Sequence, residues 1–262
     1  MTIASSGPLT MTAINTEFGY GLNLNAYRSQ AYWTDAGGRG NFGSSPISMS
    51  EFYSKRIPKS FSYNSYQATG TGTSTRTFAG MSFGAAATTR RIIAVFGASD
   101  NTNLVASSVT IGGISAPIAI QDNEGGNSTN PFVCIAYATV PTGTSGSVVI
   151  ALNGSPSTIY CATYSLYNTV TQTPQATAFD VNGSTQTVSL NIPANGFAVA
   201  VSTQISKTSS TWVGVTERAD LGGSNAYSWG DTQFITTAQS PRTIQQTNGS
   251  SDNGCSISAC WY

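Results

Sequence analysis

The sequence contains no histidine and few charged side chains. Eleven Lys and Arg residues and eleven Asp and Glu residues make up 8% of the 262 positions, against about 25% in an average soluble domain. Without histidine, Ser–His or Cys–His nucleophilic catalysis and histidine-ligated metal sites are excluded. The formal net charge is zero and there is no basic run, so the charge pattern of nucleic-acid binding is missing. We therefore expect a non-enzymatic protein with no catalytic residues, no metal, no cofactor and no nucleic-acid partner.

Long apolar segments and nucleotide-binding motifs are also missing. No uninterrupted apolar run approaches the roughly 20 residues that cross a bilayer. The first ten residues do not combine a charged region with an apolar stretch, as a secretory signal would. Neither a P-loop nor a dinucleotide-binding fingerprint is present. We expect no membrane insertion.

The composition that remains is rich in small polar residues and in aromatics. Ser and Thr together number 71 and Gly numbers 27, while apolar residues make up 39% and aromatics 10%. From position 61 onward apolar and small polar residues alternate, with turn residues every 8 to 12 positions. The candidate strands cover residues 91–97, 108–111, 116–121, 132–139, 147–152, 159–167, 186–192, 197–203, 211–217, 233–237 and 256–262. This pattern predicts one antiparallel, jelly-roll-like β-sandwich domain over residues 61–262.

Four cysteines lie in the second half of the chain, and none of them forms a two-residue-spaced pair. Cys134 and Cys161 sit within predicted strands, where a free cysteine behaves as a small hydrophobic residue. We expect four reduced thiols, with one or more disulfides as the alternative.

Residues 1–60 differ from the rest of the chain, because they contain the only helical signals and an internal repeat. The segment P-L-T-M-T-A-I at 8–14 aligns with P-I-S-M-S-E-F at 46–52. Ser48 and Glu51 form a capping-box pattern that predicts a helix over residues 48–55, and the first copy predicts a second short helix. Two turns of helix are not stable alone, so the two helices must pack on each other or on a partner.

The module has few residues to make a core of its own, so we expect the apolar faces of these helices to be buried against sister subunits or another protein. Burying each apolar side chain contributes roughly 1.5–3 kcal/mol, and symmetric oligomers commonly supply the surface. The residues predicted to anchor and assemble the protein are Leu9, Met11, Ile14, Ile47, Met49, Phe52 and Tyr53.

The motifs of this module resemble a segment found in virion proteins of tailed bacteriophages. They read I-N-T-E-F-G at 14–19, N-L-N-A-Y-R at 23–28 and P-I-S-M-S-E-F-Y-S-K at 46–55. In the phage proteins the last motif typically reads I-S-M-S-D-F-Y-G-K, so Glu51 stands here for Asp and Ser54 for Gly. The later segments R-I-I-A-V at 91–95 and V-T-I-G-G at 109–113 are similar to phage β-sandwich domains.

The resemblance implies a trimeric tail fibre or adhesin in the virion. Its partners would be its own copies, other tail or baseplate proteins, and a glycan on the host surface. A capsid decoration or head-fibre protein is one alternative. A polysaccharide-degrading tail enzyme is another, and it would need carboxylates such as Glu217 and Asp220, whose three-residue spacing does not set a catalytic distance.

The receptor-binding residues that we predict are Tyr227, Trp229 and Asp231, in Y-S-W-G-D at 227–231. Aromatic faces stack on sugars and carboxylates bond hydroxyls, usually on loops. A Trp flanked by Ser and Gly could instead cap the sandwich, and Trp212 and Trp261 fit the core better. Only 14 charged residues follow position 60, so recognition should depend on stacking and neutral hydrogen bonds.

Two other segments stay open at this stage. The acidic stretch 122–127 offers oxygen ligands, but it lacks a complete calcium-loop spacing, and an ordinary turn is favoured. Phe61, Tyr63 and Tyr66 fit either a linker or a first strand.

Overall fold

The structure is a computed structural model that describes residues 3, 6–34, 39–70, 72–124, 129–169, 172–181, 183–206, 209–222, 225–247 and 254–262. The chain divides into two compact units, Met1–Ser60 and Phe61–Tyr262. The architecture is mainly β, with antiparallel sheets and one short α-helix, so the predicted fold class is confirmed. Within the described residues, no helix is long and apolar enough to cross a membrane.

The first unit contains one α-helix, two single-turn 3₁₀-helices and a small sheet. Its elements are α1 (Met11–Phe18), a 3₁₀-helix (Leu24–Tyr27), β1 (Ala31–Thr34), β2 (Arg39–Asn41), a second 3₁₀-helix (Met49–Phe52) and β3 (Lys55–Arg56). The sheet has the order β2-β1-β3. Helix α1 begins where the Thr10 side chain accepts a hydrogen bond from the Ala13 N–H at 3.1 Å, and it ends at Gly19 with φ of 76°.

The second predicted helix is shorter than expected. Its start is as predicted, since the Ser48 N–H donates to Glu51 Oε1 at 2.8 Å. The helix nevertheless ends after Phe52, because Tyr53 is extended and Ser54 adopts a φ of 55°, which turns the chain into β3. The helix predicted over residues 48–55 is therefore wrong in type and length.

Aromatic rings form the core of the first unit. Phe52 packs against Tyr27 and Phe42, with centroids 5.2 and 4.4 Å apart, and Phe18 contacts Phe42 edge-on at 5.4 Å. Ile14 and Ile47 are buried beside them. Such rings bury large apolar areas, and edge-to-face pairs add about 0.5–1.5 kcal/mol each. A short segment with little regular structure thus has a core of its own.

The second unit consists of antiparallel strands. They are β4 (Ser60–Thr69), β5 (Thr75–Ser82), β6 (Arg91–Asp100), β7 (Ala106–Ile111), β8 (Ile114–Ala116), β9 (Ile118–Asn123), β10 (Asn130–Thr139), β11 (Ser145–Leu152), β12 (Ile159–Tyr167), β13 (Ala176–Val181), β14 (Thr185–Ile192), β15 (Phe197–Ile205), β16 (Thr211–Val213), β17 (Thr216–Leu221), β18 (Asn225–Asp231), β19 (Gln239–Thr247) and β20 (Gly254–Trp261).

These strands build two successive sandwiches with the same topology. The first has sheets of order β4-β12-β6-β10-β9 and β5-β11-β7-β8, and the second has β13-β20-β15-β18-β17 and β14-β19-β16. In each, the first strand pairs with the last, the second with the second-last, and the third with the third-last. This is the winding of a jelly roll. The single sandwich that the sequence predicted is therefore a tandem repeat.

The two sandwiches stack into four layers. One apolar cluster fills the first sandwich, a second lies between the two five-stranded sheets, and a third fills the second sandwich. Along β6, Ile92 and Ala94 belong to the first cluster while Ile93 and Val95 belong to the second. The inner strands β6, β10, β15 and β20 are thus buried on both faces, whereas β14 alternates between exposed and buried positions.

The sequence missed several strands, and burial on both faces explains this for β18 but not for β5 and β13, whose burial alternates. Strand β18 was predicted as a loop, and β5 and β13 were not predicted at all. The strand predicted over residues 233–237 lies in the connection between β18 and β19. The strand that follows β18 is β19, which was not predicted. The Gly-Gly hairpin predicted at 112–113 is confirmed, with φ of 60° and 79° and Ile111 paired with Ile114.

A buried arginine holds two loops of the first sandwich together. Arg90 is fully buried, and its guanidinium donates to the carbonyl oxygens of Val140 at 2.8 Å, Thr142 at 2.7 Å and Gly84 at 3.0 Å. A planar guanidinium can satisfy three separated acceptors at once, which an ammonium group cannot.

Replacing Arg90 should therefore destabilise the fold. We expect Arg90→Met to lower the free energy of unfolding by about 3–5 kcal/mol, because three carbonyl oxygens lose a charged donor. Arg90→Lys should lose most of the same stability, because its ammonium cannot span the three acceptors. Chemical denaturation checks both; a lysine variant as stable as the wild type would show that charge alone suffices.

All four cysteines are free and buried, as predicted. Burial raises the thiol pKa of Cys134, Cys161, Cys255 and Cys260. The reactive species is the thiolate, so these thiols should be inert in the folded protein.

Titration with Ellman's reagent tests this. We expect almost no reaction of the native protein at neutral pH and reaction of all four thiols after denaturation without a reducing agent. Fewer reactive thiols in the denatured chain would instead reveal a disulfide.

Candidate ligand-contact sites

The predicted receptor-binding residues lie in the interior. Tyr227, Trp229 and Asp231 are on β18, with 7%, 1% and 0% of their surface exposed. Strand β18 pairs with β15 on one side and β17 on the other. The prediction of an exposed loop is therefore wrong. The Ser and Gly that suggested a turn are strand residues in a sheet covered on both faces.

Each of the three side chains has a structural role. The Tyr227 hydroxyl lies 2.9 Å from Ser99 Oγ, and its ring lies 4.5 Å from that of Tyr160. Asp231 forms an ion pair with Arg218 and accepts from the Gln233 N–H at 3.1 Å. Trp229 belongs to the cluster between the two five-stranded sheets. These contacts join neighbouring strands and the two sandwiches. They leave none of the three side chains accessible to a ligand.

Replacing Trp229 should therefore destabilise the fold rather than remove a contact with a ligand. We expect Trp229→Ala to lower the free energy of unfolding by about 3–5 kcal/mol, the usual cost of truncating a buried Trp. Denaturant titration measures this directly. A change below about 1 kcal/mol would show that the Trp side chain does not fill the core.

The predicted anchoring residues mostly face inward as well. Ile14, Ile47 and Phe52 are buried in the core of the first unit, and partly buried residues pack around them. Those partly buried residues include Leu9, Met11 and Met49. The Tyr53 hydroxyl donates to the Gly7 carbonyl. The argument that these faces lack partners within the module is wrong, because the rings described above cover them.

Other apolar residues of the first unit face solvent. Leu22 is 65% exposed and Tyr20 is 39% exposed, next to each other in the segment that follows α1. Sequence reasoning missed them because they do not follow a helical period. Among the described residues of this unit, they are the large apolar side chains that are exposed.

The remaining carboxylates do not form a recognisable site. Asp220 accepts hydrogen bonds from the Ser210 N–H at 2.8 Å and the Ser210 hydroxyl at 3.2 Å. Burial raises the pKa of Glu217, and the Asp220 charge raises it further. Among the described residues, no group of three His, Cys, Asp or Glu could hold a metal ion. Residues 125–127 of the acidic stretch lie outside the described residues.

The segment that could be a linker or a first strand is a strand. Tyr63 and Tyr66 lie on β4.

A groove of about 470 Å³ lies at one end of the first sandwich, and we call it the end groove. The turn between β7 and β8 forms one wall, the connection from β10 to β11 forms the other, and Phe83 lies between them. Its lining residues are Phe83, Gly112, Gly113, Ile114, Val140, Thr142, Gly143, Ser145, Gly146 and Ser147. None of them is charged.

Close packing shapes the end groove. A Cβ atom on Gly146 would come within 2.6 Å of the Phe83 ring, and one on Gly112 would meet Val140 at 3.2 Å. A side chain at position 146 would therefore displace the Phe83 ring, and one at position 112 would also have to adopt a φ of 60°. The floor carries backbone hydrogen bonds from Gly112 N–H to the Ser147 carbonyl and from Phe83 N–H to the Thr144 carbonyl, each 2.8 Å.

A smaller cavity of about 220 Å³ lies elsewhere in the same unit. Its lining includes Arg91, Tyr137 and Gln172. The Arg91 guanidinium donates to the Thr169 hydroxyl at 2.6 Å, and burial lowers the Arg91 pKa. This volume is below the 300–1,000 Å³ that is usual for ligand pockets.

Comparison with known proteins finds no matching family model, no matching curated protein and no matching solved structure.

Proposed function

We propose that this protein is a structural component of a tailed-phage particle, a tail fibre or adhesin that attaches to a glycan on the host surface. The observation that carries the proposal is the N-terminal motif, whose P-I-S-M-S-E-F-Y segment belongs to a separate compact unit. In this proposal the unit joins the protein to tail or baseplate proteins, and three copies assemble into a homotrimer.

The construction of the second unit supports a passive, recognising role. Three of its buried polar groups, those of Arg90, Asp231 and Ser210, are engaged in structural contacts. The exposed faces of β14 and β19 carry Thr, Ser and amide side chains. Such a surface offers hydrogen bonds without a strong electric field, which suits neutral glycans.

The residues that we propose to anchor the protein differ from those predicted from the sequence. In place of the buried side chains, we assign docking of the first unit to Leu22 and Tyr20. Both are exposed, so they can gain buried apolar area only by contacting another protein.

Replacing Leu22 tests this assignment. We expect Leu22→Asp to reduce incorporation of the protein into particles strongly, while changing the free energy of unfolding by less than about 0.5 kcal/mol. Quantitative immunoblotting of purified virions measures incorporation. Val213→Asp, at another exposed apolar position with 60% exposure in the second unit, is the matched control and should incorporate normally.

Immunogold labelling of virions separates the alternatives. Gold at the tail supports a fibre or adhesin, and gold on the head supports a capsid decoration or head-fibre protein. A protein that virions lack altogether would overturn the proposal, and oligosaccharide release from host polysaccharide would favour the enzyme.

A further inference from the structure

We propose that the end groove of the first sandwich binds a neutral saccharide unit of a host-surface glycan. The inference rests on the proposed attachment function and deepens it by naming the site and the ligand class. It replaces the buried residues of β18 as the point of contact.

The groove has the size and position of a ligand site. Its volume of about 470 Å³ falls within the 300–1,000 Å³ that is usual for small-molecule pockets. Its walls are connections between strands, where binding residues are concentrated in rigid β scaffolds. One or two sugar rings are ligands of matching size.

The lining chemistry fits a neutral sugar. The hydroxyls of Thr142, Ser145 and Ser147 offer donors and acceptors, while Ile114, which is 40% exposed, offers an apolar face. A sugar ring has the same two kinds of surface, with hydroxyls at the edge and C–H groups on the face. A carboxylate or phosphate ligand would instead favour an Arg or Lys in the lining, and the lining has neither.

The groove is held in shape before any ligand arrives. Arg90 fixes the carbonyl groups of Val140 and Thr142 beneath one wall. The Gly112-Gly113 turn fixes the other wall. A rigid site loses little conformational entropy on binding, which matters for a weak neutral ligand. Arg90 thereby acts as a positioning residue for the site.

The fold itself does not require this groove. At the end of the second sandwich, the connection between β18 and β19 folds back, and Ile235 pairs with Gly196. Ile235 is buried there. Two sandwiches of the same topology therefore differ in their loops, which is where ligand specificity is normally acquired.

Binding of the purified protein to a microarray of bacterial O-antigens and capsular polysaccharides tests the proposal. Ile114→Trp fills the groove, and Ser145→Arg adds a charge at its rim. Val213→Trp is the matched control, since Val213 is also exposed on an outer sheet, beside Gly214 with φ of 87°. Thermal melting verifies that the three variants fold.

The expected result is that the wild type binds at least one polysaccharide, equally at low and high salt. Both groove variants should bind it at least about tenfold more weakly, and Val213→Trp should bind like the wild type. Equal binding by all four proteins, or equal weakening by all three variants, would overturn the site. Absence of wild-type binding would overturn the saccharide ligand. Neither result bears on the proposal that the protein is a component of the virion, because incorporation into particles is measured separately.

Discussion

The contact between the two five-stranded sheets is the constraint on which the second unit depends. Each of these sheets already covers the core of its own sandwich, so packing them together buries both faces of β6, β10, β15 and β20. Side chains on such strands must be apolar or small, whichever way they point. Long charged side chains have few places on these four strands.

Several polar groups that are buried despite this constraint have specific partners. Arg90 bonds three carbonyl oxygens, Asp231 pairs with Arg218, and the Gln204 amide donates to Gln246 Oε1 at 2.7 Å. The contacts of Arg90 with Val140 and Thr142, and that of Gln204 with Gln246, join segments that are distant in sequence. They select one arrangement of the strands, whereas apolar contacts alone would tolerate several. The end groove, by contrast, lies at the connections between strands.

The sequence predicted features that depend on local chemistry and missed those that depend on layering. The Thr10 and Ser48 helix starts and the Gly112-Gly113 hairpin were predictable, because capping and turn formation involve neighbouring residues. The core position of Trp261 was also predictable from alternation. Strand β18 was not, because burial on both faces removes the alternation that distinguishes a strand from a loop. For that reason the residues of β18 were wrongly predicted to bind a ligand. Ile114 of the end groove had no sequence signal beyond its place beside a turn.

The repeated winding has a consequence for synthesis on the ribosome. Strand β20 pairs with β13 and β15 within its sheet, yet it follows all the other strands of the second sandwich in the sequence. The second jelly roll cannot close until β20 has emerged, while the first can close once β12 has emerged. During that interval the nascent chain carries a finished sandwich with one wide apolar face uncovered. Such a face is a natural target for a chaperone.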